Sequence, residues 1–136
     1  MSEKDAFTFL FEILKDLNKS YVENVMATLG FILLSMGWMV TSEKAREFLR
    51  QNRPMRIGAL IVIFTIAIIH SGVSIALWYV SNEKHQQIVA LNYTTAEYFE
   101  VYRLTRLHVA LNLLMNLSAF GLLAGLVAYT KRSAAK

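Results

Sequence analysis

The sequence predicts an all-α integral membrane protein with three long transmembrane helices and an N-terminal amphipathic helix at the membrane interface. The main observation is the apolar run at residues 57–80, IGALIVIFTIAIIHSGVSIALWYV. At about 1.5 Å of rise per residue, a helix of this length crosses the roughly 30 Å of bilayer hydrocarbon. Two further apolar runs, at residues 25–40 and 107–129, give a count of three spans.

Length and composition agree with a single helical membrane domain. The chain has 136 residues, 55% of them hydrophobic, and a formal net charge of +4. It has no cysteine, which excludes disulfides, thiolate metal sites and cysteine nucleophiles.

The amphipathic helix is predicted at residues 6–18, where apolar side chains recur at helical spacing and most charged ones lie off that stripe. The apolar positions are Phe7, Leu10, Ile13 or Leu14, and Leu17. Ser2 and Asp5 resemble a capping box that would start the helix. We expect this helix to lie along the outer membrane surface or to pack on the bundle.

Span one is predicted at residues 21–52, with its last three turns in the cytoplasm, because no strong helix breaker precedes Pro54. Pro54 is suited to the first turn of span two, predicted at residues 55–91. Span three is predicted at residues 95–131. Spans two and three would then extend well past the outer surface.

The lysine and arginine residues predict that the N-terminus is outside and the C-terminus is cytoplasmic. The loop between spans one and two and the C-terminal tail are rich in these residues: Lys44, Arg46, Arg50, Arg53, Arg56, Lys131, Arg132 and Lys136. The positive charge is therefore a topology signal, and no nucleic-acid partner is expected. The expected location is a bacterial or archaeal inner membrane.

Polar residues inside a span are costly in lipid, so we expect them to face protein. In span three they are spaced four residues apart on one face: His108, Asn112 and Asn116. In span two they share a face with small residues: His70, Ser71 and Ser74. Their similar depths predict hydrogen bonds from Asn116 to His70 and from Asn112 to Ser74, which would join the two helices. The alternative is that these groups line a small polar pocket.

The opposite face of span three carries four small residues: Ser118, Gly121, Gly125 and Ala128. Its Gly-x-x-x-Gly spacing allows close approach of a second helix backbone. Span one, which contains small residues of its own, or another copy of the chain could provide that helix.

Catalytic activity is not expected, because no aspartate or glutamate lies in the three apolar runs at residues 25–40, 57–80 and 107–129. No metal site is expected either. The leading hypothesis is a non-enzymatic membrane protein that acts as a homo-oligomer or as an accessory subunit of a membrane complex.

Two alternatives remain open. His70 and His108 could bind haem b or a quinone, and the span number and length resemble in outline the membrane anchor subunits of succinate dehydrogenase and fumarate reductase. A depth offset of roughly 13 Å, at 1.5 Å per residue, opposes one haem between these two histidines. The other alternative is an oligomeric channel lined by Asn112, Asn116 and His70.

Overall fold

The computed structural model describes residues 2–92 and 97–129. The helices are α1 (Glu3–Thr41), α2 (Glu43–Gln51), α3 (Arg53–Leu91), α4 (Glu97–Glu100) and α5 (Arg106–Tyr129). The described part of the chain contains no β-strand. Helices α1, α3 and α5 are long and apolar enough to cross a membrane, which confirms the helical class and the three candidate spans.

Helix α1 joins two predicted elements into one. The predicted amphipathic segment at residues 6–18 is the first part of α1, which continues without a break into the apolar run. Ser2 and Asp5 form the expected capping box, in which the Asp5 amide donates to Ser2 Oγ at 3.2 Å and the Ser2 amide donates to Asp5 Oδ2 at 3.2 Å.

Span one ends earlier than the predicted residue 52, because a helix cap separates α1 from α2. Ser42 has an extended conformation, and its Oγ accepts a hydrogen bond from the Ala45 amide at 3.2 Å. The Arg46 guanidinium reaches back to the last carbonyls of α1, donating to Met39 O at 3.0 Å and also to Val40 O. Propensity alone could not reveal this break, since the segment is rich in helix formers.

The predicted third helix is likewise divided, into α4 and α5. After α4, the Tyr102 and Arg103 amides donate to the Phe99 and Glu100 carbonyls, which forms a turn. Thr105 then caps α5. The predicted limits of span three, residues 95 and 131, and the basic tail residues Lys131, Arg132 and Lys136 lie outside the described residues.

The chain divides into two compact units, each built from parts of several helices. The first unit comprises Met1–Val25 and Gly72–Asn112. Its buried apolar centre is Leu14, Ile88 and Phe99, with Phe7, Leu10, Phe11 and Tyr102 packed around it. Aromatic edge contacts join the Phe7 ring to Phe99 at 6.3 Å and the Phe11 ring to Tyr102 at 5.4 Å. Phe7, Leu10 and Leu14 of the predicted N-terminal stripe are thus packed inside this unit.

The second unit comprises Met26–Ser71 and Leu113–Lys136. Within its described residues, four helices contribute to the apolar core: Ile32 and Met39 from α1, Leu49 from α2, Ile63 from α3, and Phe120, Leu123 and Val127 from α5. Helix α5 therefore contributes one buried apolar face to this core, while Leu114, Leu117 and Leu122 stay exposed.

Candidate functional site

In the first unit, the polar side chains of three helices meet at Ser74. Asn112 Nδ2 donates to Ser74 Oγ at 2.9 Å, as the helix spacing predicts. Asn24 Nδ2 donates to the same oxygen at 3.4 Å. Ser74 is fully buried and Asn112 is 4% exposed, so these bonds form out of contact with lipid. They tie α3 to α5 and to α1, which is the packing role expected of intramembrane polar groups.

In the second unit, His70 is paired with a residue of α1. Thr28 Oγ1 lies 2.7 Å from His70 Nδ1, and both side chains are buried. The sequence interpretation assigned Asn116 as the partner of His70 and did not consider Thr28. The available signal was the spacing of Asn24 and Thr28, two polar residues four apart on one face of span one.

Asn116 is 3% exposed, and its amide nitrogen has no hydrogen-bond partner within residues 2–92 and 97–129. The predicted hydrogen bond from that nitrogen to His70 is therefore not formed. Ser71, the remaining polar residue predicted on this face of α3, is half-buried.

His108 has a local structural role at the start of α5. Its amide donates to Thr105 Oγ1 at 3.4 Å, and its Nδ1 accepts from the Thr105 amide at 3.2 Å. This reciprocal arrangement is a capping box with histidine in the position usually held by Glu or Gln. The Tyr21 hydroxyl donates to the His108 carbonyl at 3.0 Å and adds a tie from α1. The His108 side chain is exposed, whereas His70 is 4% exposed.

A polar cluster that sequence analysis missed lies beside α4. His85 Nε2 is 3.0 Å from Glu100 Oε1, and Arg103 Nη1 is 3.5 Å from the same oxygen. His85 is 5% exposed, and its ring centroid lies 5.3 Å from that of Phe99. No sequence motif marks this pair, because the two residues are fifteen positions apart and lie on different helices, α3 and α4.

The small-residue face of α5 is exposed in the chain. Ser118, Gly121, Gly125 and Ala128 all lie on the surface. A Cβ atom built at Gly121 or at Gly125 meets nothing within 4 Å, and the same is true at Gly30 and Gly37 of α1. Span one, considered as a partner of this face, therefore does not make close contact at these glycines.

Among the described residues, no group of three or more His, Cys, Asp and Glu side chains is arranged to hold a metal ion. Comparison with known protein families, with curated proteins and with solved structures finds no match for this chain.

Proposed function

We propose that this protein is a non-enzymatic multi-pass membrane protein that acts by assembly, as a homo-oligomer joined through the small-residue face of α5. The observation that carries the proposal is the open space at Gly121 and Gly125, on the side of α5 opposite its buried residues. Membrane helices associate through close backbone approach at such small residues, since lipid provides no hydrophobic driving force between helices.

A second copy of the chain is the occupant we favour for this face. A Gly-x-x-x-Gly surface can pair with itself across a two-fold axis, because each glycine accommodates the backbone of the other helix. The face also carries no charged residue that would select an oppositely charged partner. An accessory subunit of a larger membrane complex would use the same face toward a different helix.

Burial of the polar groups favours this proposal over a channel. His70, Asn112 and Asn116 are each no more than 4% exposed in the chain. Side chains that line a pore on an oligomer axis must face outward from each subunit, whereas these three lie among the chain's own helices. Their placement supports a role in joining helices.

Cysteine cross-linking in native membranes tests the interface, and the absence of natural cysteine makes single-cysteine variants unambiguous. We expect Ser118→Cys and Ala128→Cys to give disulfide-linked or bifunctionally linked dimers. Ile61→Cys is the matched control, because Ile61 lies on α3 and is 60% exposed. Equal dimer yields at all three positions would indicate random collision, and monomers at all three would refute the homo-oligomer.

A further inference from the structure

A cavity of about 490 Å³ lies in the second unit, where the end of α1, helix α2 and the end of α5 come together. Its volume is within the range of small-molecule sites, about 300–1,000 Å³. One part of its wall is apolar and includes Val40, Leu126 and Tyr129. The remaining wall is provided by the charged face of α2.

The charged wall contains equal numbers of cations and anions: Glu43, Arg46, Glu47 and Arg50. Arg50 Nη2 lies 3.5 Å from Glu47 Oε1, in a partly exposed ion pair. A ligand that carries one positive and one negative charge matches this wall. A ligand with a net negative charge would be repelled by the carboxylates of Glu43 and Glu47.

Arg46 retains hydrogen-bonding capacity toward the cavity. Its Nη1 is bonded to the carbonyls of Met39 and Val40, and the structure shows no other hydrogen bond of this guanidinium among the described residues. A guanidinium has five N–H donors, so several remain for an acceptor such as a phosphate oxygen. Glu43, in the first turn of α2, forms no ion pair within the described part of the chain and can accept from an ammonium group.

The position of the cavity favours a lipid headgroup as the ligand that carries both a negative and a positive charge. Helix α2 directly follows the apolar helix α1, buries Ala45 and Leu49, and leaves Phe48 about half exposed. A short amphipathic helix of this kind lies at the boundary between headgroups and acyl chains. Phosphate and ammonium groups are both present at that depth, next to the first methylenes that the apolar wall can contact.

We propose that this cavity binds the headgroup of phosphatidylethanolamine, with its phosphate on Arg46 and its ammonium group on Glu43. Ethanolamine donates N–H hydrogen bonds that a carboxylate accepts. Choline has no N–H group and is typically bound by several aromatic rings. The described residues that line this cavity include one aromatic ring, that of Tyr129.

Native mass spectrometry of the full chain in mild detergent tests the proposal, using equimolar phosphatidylethanolamine, phosphatidylcholine and phosphatidylglycerol. We expect phosphatidylethanolamine to be retained preferentially. Arg46→Gln should weaken binding of both zwitterionic lipids about tenfold, the usual effect of losing a charge-assisted hydrogen bond. Glu43→Gln should abolish the preference for ethanolamine over choline. Lys44→Gln, which changes an exposed charge of α2 outside the cavity wall, should bind as the natural chain does.

Because Arg46→Gln also removes a cap from α1, its helix content is compared by circular dichroism, and Glu43→Gln tests the site without altering that cap. Equal retention of the three lipids, or preference for phosphatidylglycerol, would overturn the proposal. If Lys44→Gln lost as much lipid binding as Arg46→Gln, binding would depend only on the general surface charge of α2. That result would also overturn the proposal. Displacement of the lipid by inorganic phosphate would identify a soluble-anion site instead.

Discussion

Replacing Ser74 by alanine should destabilise the fold measurably, because one oxygen serves two helices. Ser74 Oγ accepts from Asn112 at 2.9 Å and from Asn24 at 3.4 Å, and Ser74 is fully buried. Hydrogen bonds between membrane helices average about 0.6 kcal/mol and reach about 1.7 kcal/mol. The short bond should be near the upper value and the long bond near or below the average. We therefore expect Ser74→Ala to lower the free energy of unfolding by about 1–2 kcal/mol.

The assay is reversible unfolding by sodium dodecyl sulfate in mixed micelles, followed by far-ultraviolet circular dichroism. Ser71→Ala is the matched control, since Ser71 is on the same helix, is half-buried, and has no hydrogen bond of its side chain shown within the described residues. We expect it to change the free energy of unfolding by less than about 0.5 kcal/mol.

A double-mutant cycle identifies the partner. Ser74→Ala combined with Asn112→Ala should show a coupling of about 1 kcal/mol, and the coupling with Asn24→Ala should be smaller because that bond is longer. If Ser74→Ala behaved like Ser71→Ala, or if the coupling with Asn112 were zero, the hydrogen bond between Ser74 and Asn112 would make no contribution to stability.

Three further predictions follow from other contacts. Thr28→Val should cost about 1 kcal/mol by removing the buried partner of His70, and Thr28→Ser should restore most of it in the same unfolding assay. Ser42→Ala should cost about 1 kcal/mol by removing the cap of α2, whereas Ser42→Asn should be nearly neutral. Phe99→Ala should lower the free energy of unfolding by about 3–5 kcal/mol, because this ring is 1% exposed, and Phe99→Leu should cost less. At each of these three positions, two substitutions that lowered the free energy of unfolding equally would contradict the role assigned to that residue.

The contact between Asn112 and Ser74 could be predicted from sequence because two periodic patterns constrain it. Polar residues spaced four apart fix the face of α5, and the small residues beside Ser74 fix the face of α3. Counting residues from the helix ends then matches their depths. The contact between Thr28 and His70 was accessible to the same reasoning, since Asn24 and Thr28 are spaced four residues apart on one face of α1. It was missed because polar spacing was followed only in spans two and three.

The helix ends were the least predictable part of the fold. The segment around Ser42 consists mostly of helix formers, and the break depends on two side chains that satisfy backbone groups: Ser42 at the start of α2 and Arg46 at the end of α1. The residues just before Thr105 also have the composition of a helix, yet the chain turns there between α4 and α5. The side chains of Phe99 and Leu104 are buried on either side of this turn, against residues that are distant in sequence.

Helix α5 has a buried polar side and an exposed small-residue side, so substitutions on the two sides should affect fold stability and dimer formation separately. Within the chain, Asn112 forms a buried hydrogen bond, while the exposed glycines leave space for an outside helix. Ser74→Ala should therefore weaken the fold and leave the fraction of dimer unchanged at detergent concentrations below the unfolding transition. Gly121→Leu should have the opposite effect, since a bulky side chain fits the open space in the monomer and prevents close approach of a second backbone. Native mass determination beside the unfolding assay measures both quantities. If Gly121→Leu lowered stability without changing the dimer, the face would pack against the chain's own helices, and assembly would have to use another surface.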